Sequence, residues 1–199
     1  MIPKGGNRGF TIVELLIVIV IIGVLAAIIA SVYSGIQDRA NNQKTEAVVA
    51  EYKKALIQYA VTNGVYPAGT YVCLGEPAYP NCAGTATGSS VFNNAIRPFM
   101  GNVGQLPQPA IQILQYGAQQ RAGAAYHYNA ASTLDGSPHP WGINYITKGT
   151  GQCKLPGVAG NPAGFYWPNF STTPNTSGHT ESQSGNSFCR LILPNPANL

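Results

Sequence analysis

The chemistry this sequence suggests is concentrated near its start. Glu14 lies inside an apolar segment that begins at Phe10, and no charged residue follows it from Leu15 to Gln37. A carboxylate facing hydrocarbon near a helix centre costs about 2.5–3.5 kcal/mol, so such a group ordinarily has a partner and a task. Thr11-x-x-Glu14 has the form of a capping box, in which the carboxylate closes a helix N-terminus. The capping form explains neither the apolar run that follows nor the segment that precedes it. That preceding segment is short, polar and basic, with Lys4 and Arg8, and it ends at Gly9. Ordinary secretory signals are cut at a small residue after the apolar part. Here the small residue comes first, so a cut after Gly9 would free an amine on Phe10 and leave the apolar segment on the chain.

The element that must position these groups is a long helix. No proline occurs between Pro3 and Pro67. The spacing predicts one helix from about Phe10 to Thr62, ~80 Å long at ~1.5 Å per residue. Its first half is apolar all round, and Leu15–Gln37 alone would extend ~35 Å, enough to cross a bilayer core. Its second half is amphipathic, with Val48, Tyr52, Ala55, Leu56 and Tyr59 on one stripe. Asn63-Gly64 and the nearby Pro67 are stop signals.

Beyond Val65, frequent Gly and Pro mark turns. Short strands are predicted at Tyr71–Leu74, Ala125–Tyr128, Gly142–Thr147 and Phe188–Leu193, with Gly164–Trp167 as a further candidate. Pro109–Gln120 is expected as a second helix, and Thr85–Ser90 and Ser171–Ser187 as polar loops. The expected fold class is α+β, a long N-terminal helix packed on a small antiparallel sheet. The expected divisions are 1–9 as a leader, 10–37 as an apolar span, 38–63 as the amphipathic half of the helix, and 64–199 as a globular domain.

The composition fits a loop-rich exterior domain. Of 199 residues only 9% are charged, while there are 23 Gly and 15 Pro. The formal charge of +4 includes Lys4 and Arg8, so the part after Gly9 is only weakly basic, which gives no argument for nucleic-acid binding. Cys73, Cys82, Cys153 and Cys189 all lie after the apolar span, and an even count in such a domain reads as disulfides. Of three connectivities, Cys73–Cys82 with Cys153–Cys189 is the favoured one. His127, His139 and His179 are scattered, none at metal-ligand spacing, and His127 between two tyrosines reads as a strand residue with one face outward. After Gly64 the acidic residues are Glu76, Asp135 and Glu181, which makes no evident acid–base pair. No G-x-S-x-G elbow or phosphate-binding glycine loop occurs. The eleven Tyr with Trp141 and Trp167 are expected to pack a core short of Leu and Ile.

The order of basic leader, Gly9, Phe10-Thr11-Ile12-Val13-Glu14 and a long apolar helix resembles the class III signal of type IV pilins and pseudopilins, most closely over RGFTIVELLIVIVIIGVLAAI. The resemblance covers roughly the first 60 residues. It implies cleavage by a prepilin peptidase between Gly9 and Phe10 and N-methylation of Phe10. It implies that Glu14 accepts the Phe10 amine of a neighbouring subunit in a helical homo-oligomeric filament. The precursor would sit in the cytoplasmic membrane with its N-terminus inside, and the assembled subunit would be extracellular. No cofactor, metal or enzymatic activity is implied. Two features depart from the family pattern. Ala30-Ser31-Val32 stands where many pilins have a helix-breaking Pro, and beyond Pro140 only Glu181 is acidic, too few carboxylates for the Ca²⁺ site common in secretion pseudopilins. The second departure favours a pilus subunit. The alternatives are a pseudopilin or minor pilin of a type II secretion or DNA-uptake system and, from another class, an uncleaved membrane-anchored extracellular binding domain.

Overall fold

The computed structural model describes residues 10–76, 82, 87–101, 104–116, 119–128, 130, 133–134, 137–138, 140–150, 153, 155 and 185–199. The chain divides into two units, Met1–Asp38 and Arg39–Leu199. One element, helix α1 (Ile12–Asn63), contributes residues to both.

In the first unit the helix has no covering layer. Its large apolar side chains between Phe10 and Ile36 that are described are at least half exposed. A helix apolar on every side is stable in lipid or in a protein core. This stretch is long and apolar enough to cross a membrane by length and composition.

In the second unit the helix buries one stripe: Thr45, Val48, Val49, Tyr52, Ala55, Leu56 and Ala60. The spacings of three and four put these side chains on one face. The helix ends as its sequence predicts. Gly64 takes φ 72°, a left-handed conformation that costs glycine little, and donates to the Ala60 carbonyl at 2.8 Å.

The stripe packs on a four-stranded antiparallel sheet. Its strands are β1 (Tyr71–Cys73), β4 (Ala124–Tyr128), β7 (Trp141–Lys148) and β8 (Asn186–Ile192), in the order β1-β4-β7-β8. All four overlap the predicted strands, though β8 starts early enough to take Asn186 and Ser187 out of the expected loop. The period-two alternation assigns the faces. Val72, Tyr126, Ile143, Tyr145 and Leu191 meet the helix stripe, with Phe92, Ile96 and Leu106 closing the cluster. Phe92 and Ile96 come from the short helix α2 (Ser90–Ile96), which Ser89 caps by accepting from Phe92 N.

The opposite face of the sheet is covered as well. Cys73, Ala125, Ile146 and Phe188 form a second buried cluster with Cys82 and Leu114. His127 lies on this face, 8% exposed, with Tyr71 edge-on at a 5.0 Å ring separation. The expectation of an outward-facing histidine is therefore corrected: the alternation is right, but the second face is not open to solvent. Burial, and then the charge of Arg190, lower His127 to about 4 from 6.5. Arg190 itself is 2% exposed and lies across Gly142, where a Cβ would come within 3.0 Å of its Nε and of the Leu191 carbonyl. A glycine at that strand position is what lets the arginine side chain lie on the sheet.

The second expected helix, Pro109–Gln120, is not formed. The chain instead makes a hairpin of β2 (Leu114–Tyr116) and β3 (Gln119–Arg121), paired Leu114↔Arg121 to Tyr116↔Gln119. Ala110, Ile113 and Leu114 have helical spacing, which misleads. Pro109 at the first position does not itself oppose a helix, but the two-residue link between the strands begins in the sequence with Gly117, a tight-hairpin signal. A two-stranded ribbon, β5 (Thr133–Leu134) with β6 (Ser137–Pro138), completes the described strands. The candidate strand Gly164–Trp167 and most of the Ser171–Ser187 loop lie outside the described residues.

Candidate functional site

The site expected at the helix start is built from adjacent turns of one element. Thr11 N and Thr11 Oγ1 both donate to Glu14 Oε2, at 2.8 and 2.7 Å, and Glu14 N donates back to Thr11 Oγ1 at 3.2 Å. This is the reciprocal capping box that the spacing predicts. Both bonds converge on one carboxylate oxygen. Among the described residues Glu14 Oε1 accepts no hydrogen bond, and the side chain is exposed. Capping therefore occupies half of the carboxylate and leaves the other half available to an external cation. Phe10 is 85% exposed at the same end. Gly9 lies outside the described residues.

The cysteines lie in the second unit. Cys73 of β1 is bonded to Cys82, and Cys153 is bonded to Cys189 of β8. The first bond ties an edge strand to the chain that follows it. The second ties the other edge strand to the chain beyond β7.

Three helix side chains anchor the domain through backbone groups, and sequence reasoning did not single out any of them for this role. Asn42 forms a two-bond clasp with Lys148: its Nδ2 donates to the Lys148 carbonyl and its Oδ1 accepts from the Lys148 N–H, both at 2.8 Å. Thr45 Oγ1 accepts from Ala110 N at 3.2 Å, and Tyr52 OH accepts from Gly75 N at 2.9 Å. Burial is the main cause raising Tyr52 above the ordinary phenol range. Gly75 sits at φ 102° with Gln108 so near that a Cβ would come within 2.9 Å of its Cα, so glycine is required there. A polar residue on a helix stripe carries no sequence signal for a partner more than a hundred residues away, so only the fold reveals the clasp.

Glu76, an acid with no assigned role in the sequence, is also structural. Both its carboxylate oxygens accept from Arg97 NH2 at 2.7 Å, and Oε2 accepts from Leu106 N at 3.3 Å. The Arg97 hydrogen bond is the main cause holding its carboxyl below the usual range. Among the described residues no group of three or more His, Cys, Asp or Glu is placed to hold a metal ion.

These features define a class: an α+β domain carried on a helix whose first part is apolar on all sides and starts with a capped, half-open carboxylate. The family model for the prokaryotic N-terminal methylation motif matches residues 4–30. Type II secretion system core protein G of Klebsiella michiganensis is 34% identical over 80 residues, 39% of this chain and 56% of that protein. The protein of the same name from Escherichia coli K12 is 40% identical over 61 residues, 31% of this chain and 42% of that protein. Type IV major pilin protein PilE1 of Neisseria gonorrhoeae is 26% identical over 118 residues, 59% of this chain and 55% of that protein. The chain thus spans about half the length of the relatives it matches. No solved structure matches it. Over its N-terminal region the chain is thus similar to type II secretion core proteins G and to a type IV major pilin, and it carries their kind of N-terminal methylation motif.

Proposed function

We propose that this chain is the structural subunit of a type IV pilus-like filament. It is made as a prepilin, cut between Gly9 and Phe10, methylated on the new Phe10 amine, and assembled through its apolar helix. The supporting observation is that the methylation motif opens a helix with an exposed apolar surface and a carboxylate oxygen left free by its cap. In a filament core, the positive Phe10 amine of one subunit neutralises Glu14 of its neighbour. The pair recovers part of the desolvation cost and fixes the axial register. The precursor waits in the cytoplasmic membrane as a single-pass protein with its N-terminus inside, and the domain from residue 64 onward is extracellular. The chain's role is structural and not enzymatic, and its partners are copies of itself, a prepilin peptidase and the assembly machinery.

A second reading, a pseudopilin of a type II secretion system, is favoured by the matches to core protein G. Abundance separates the two, since a major pilin makes up nearly all of a sheared fibre. The first experiment is mass spectrometry of the N-terminus of the protein from its native host. A chain starting at methylated Phe10 supports the proposal. A chain starting at Met1, in cells with an active prepilin peptidase, overturns it in favour of an uncleaved membrane-anchored binding domain.

A further inference from the structure

The sheet face turned away from the helix carries a polar cluster that filament assembly does not use. We propose that Asn144, with Arg121, His127 and Arg190 around it, forms a buried site for a small monovalent anion of the size of chloride or formate.

Strand register brings the cluster together. Asn144 of β7 stands between Ala125 of β4 and Arg190 of β8, and the neighbouring row on the same face is Tyr71, His127 and Gly142. The Arg190 side chain lies over Gly142, the cross-strand partner of His127. Arg121 comes in from β3, its guanidinium 4.8 Å above the ring of Phe188 on this face.

The cluster is sealed. Asn144 is fully buried, and Arg121, His127 and Arg190 are each more than nine-tenths buried. Neither Nδ2 nor Oδ1 of Asn144 makes a hydrogen bond. A buried polar group left in that state costs about 1–3 kcal/mol, and native interiors rarely keep one without a bound partner. Burial raises the Tyr71 phenol, and Asn144 and Arg121 work against that rise, yet the approach of Tyr71 to Asn144 falls short of a hydrogen bond.

A trapped water would satisfy the amide, but the charge around it favours an anion. Arg121, His127 and Arg190 already hold interactions within the fold. The field of the two arginines nevertheless converges here: Arg190 adds to the effect of burial on His127, and both arginines act on Tyr71. No described carboxylate is among the charges acting on Tyr71, His127 or Arg190. Of the described acids in this unit, Glu46 and Glu51 act on Tyr145 and Tyr52, on the helix side of the sheet, and Glu76 is held by Arg97. An anion accepting from Asn144 Nδ2 would satisfy the amide and offset the positive field together. Enclosure limits it to a small one, and makes its role the stabilisation of the sheet domain.

The probe is chloride. The full chain in detergent micelles is held at about 0.15 M ionic strength, with chloride as the anion or with gluconate, which is too large for an enclosed site. Chloride should raise Tm by about 3–6 °C. It should also move the His127 ring titration, followed by NMR, upward from about 4 by about one pH unit, because a neighbouring anion favours the charged imidazole. Asn144→Asp, which fixes a negative charge at the same place, should abolish both responses. Should that variant fail to fold, the two wild-type readouts still decide. Either readout staying flat in the wild type overturns the proposal, and a Tm rise with an unmoved His127 means that chloride binds elsewhere. Responses that persist in Asn144→Asp overturn it as well. A response that appears only in a D135N/E181Q variant means that one of the chain's own carboxylates fills the site, and this too overturns it.

Discussion

Two lengths of the same helix behave as though made for different solvents. Before Asp38 every described large apolar side chain is exposed, and after Arg39 a stripe of the helix is sealed under a sheet. The difference is one of patterning rather than helix-forming tendency. Charges and amides interrupt the second length at a helical period, and from Leu15 to Gln37 no charge interrupts the first. The second length has its partner within the chain. The first has none among the described residues. Stability measured on the isolated chain therefore reports on the second length, and on the proposed filament reading assembly reports on the first.

Substitutions can break that division. On the proposed filament reading, Glu14→Ala should lower filament yield at least a hundredfold, measured on sheared fibres by immunoblot, because the Phe10 ammonium of a neighbouring subunit would be left unpaired. It should leave the melting of the domain unchanged. A lowered melting temperature would mean that the two lengths are not independent. Tyr52→Ala should cost about 3–5 kcal/mol in a urea titration, since a fully buried aromatic and its bond to Gly75 are both lost. Ile22→Ala, an equally apolar truncation on the exposed length, should stay within about 0.5 kcal/mol in the same assay.

In mild acid the sheet domain should lose stability through His127. His127 has a folded-state value of about 4 against 6.5 in the unfolded chain. The unfolded chain therefore takes up the extra proton between those values. The stabilisation is fully present above pH 6.5 and is lost as pH falls towards 4, by about 2–3 kcal/mol over the window. A His127→Gln variant should show a flatter melting-temperature profile between pH 6.5 and 4.5. A small effect is also expected of Arg97→Gln. Its pair with Glu76 is about a quarter exposed, so the loss should be about 1 kcal/mol or less.

How much the sequence revealed follows the same division. The helix, its C-terminal stop, four strands and the Thr11–Glu14 box are local patterns, and periodicity reports them. The helix expected at Pro109–Gln120 gives way to a two-stranded hairpin, whose pairing is a tertiary choice that the local sequence did not announce. His127 was expected to face outward because alternation tells which side of a sheet a residue takes, but not what covers that side. The Asn42–Lys148 clasp joins residues 106 apart and has no local signature at all.

The cap at Glu14 has a kinetic consequence. Its carboxylate is already oriented by Thr11 through Oε2, while Oε1 accepts no hydrogen bond among the described residues. In the filament reading, an arriving amine then finds its acceptor preorganised, with the rotamer entropy of Glu14 already spent in the lone subunit. Incorporation becomes a docking of finished surfaces, with no helix start to fold at the moment of contact. Thr11→Val, which keeps the shape but removes the hydroxyl, should therefore slow the rate of fibre growth more than it reduces the final amount of fibre.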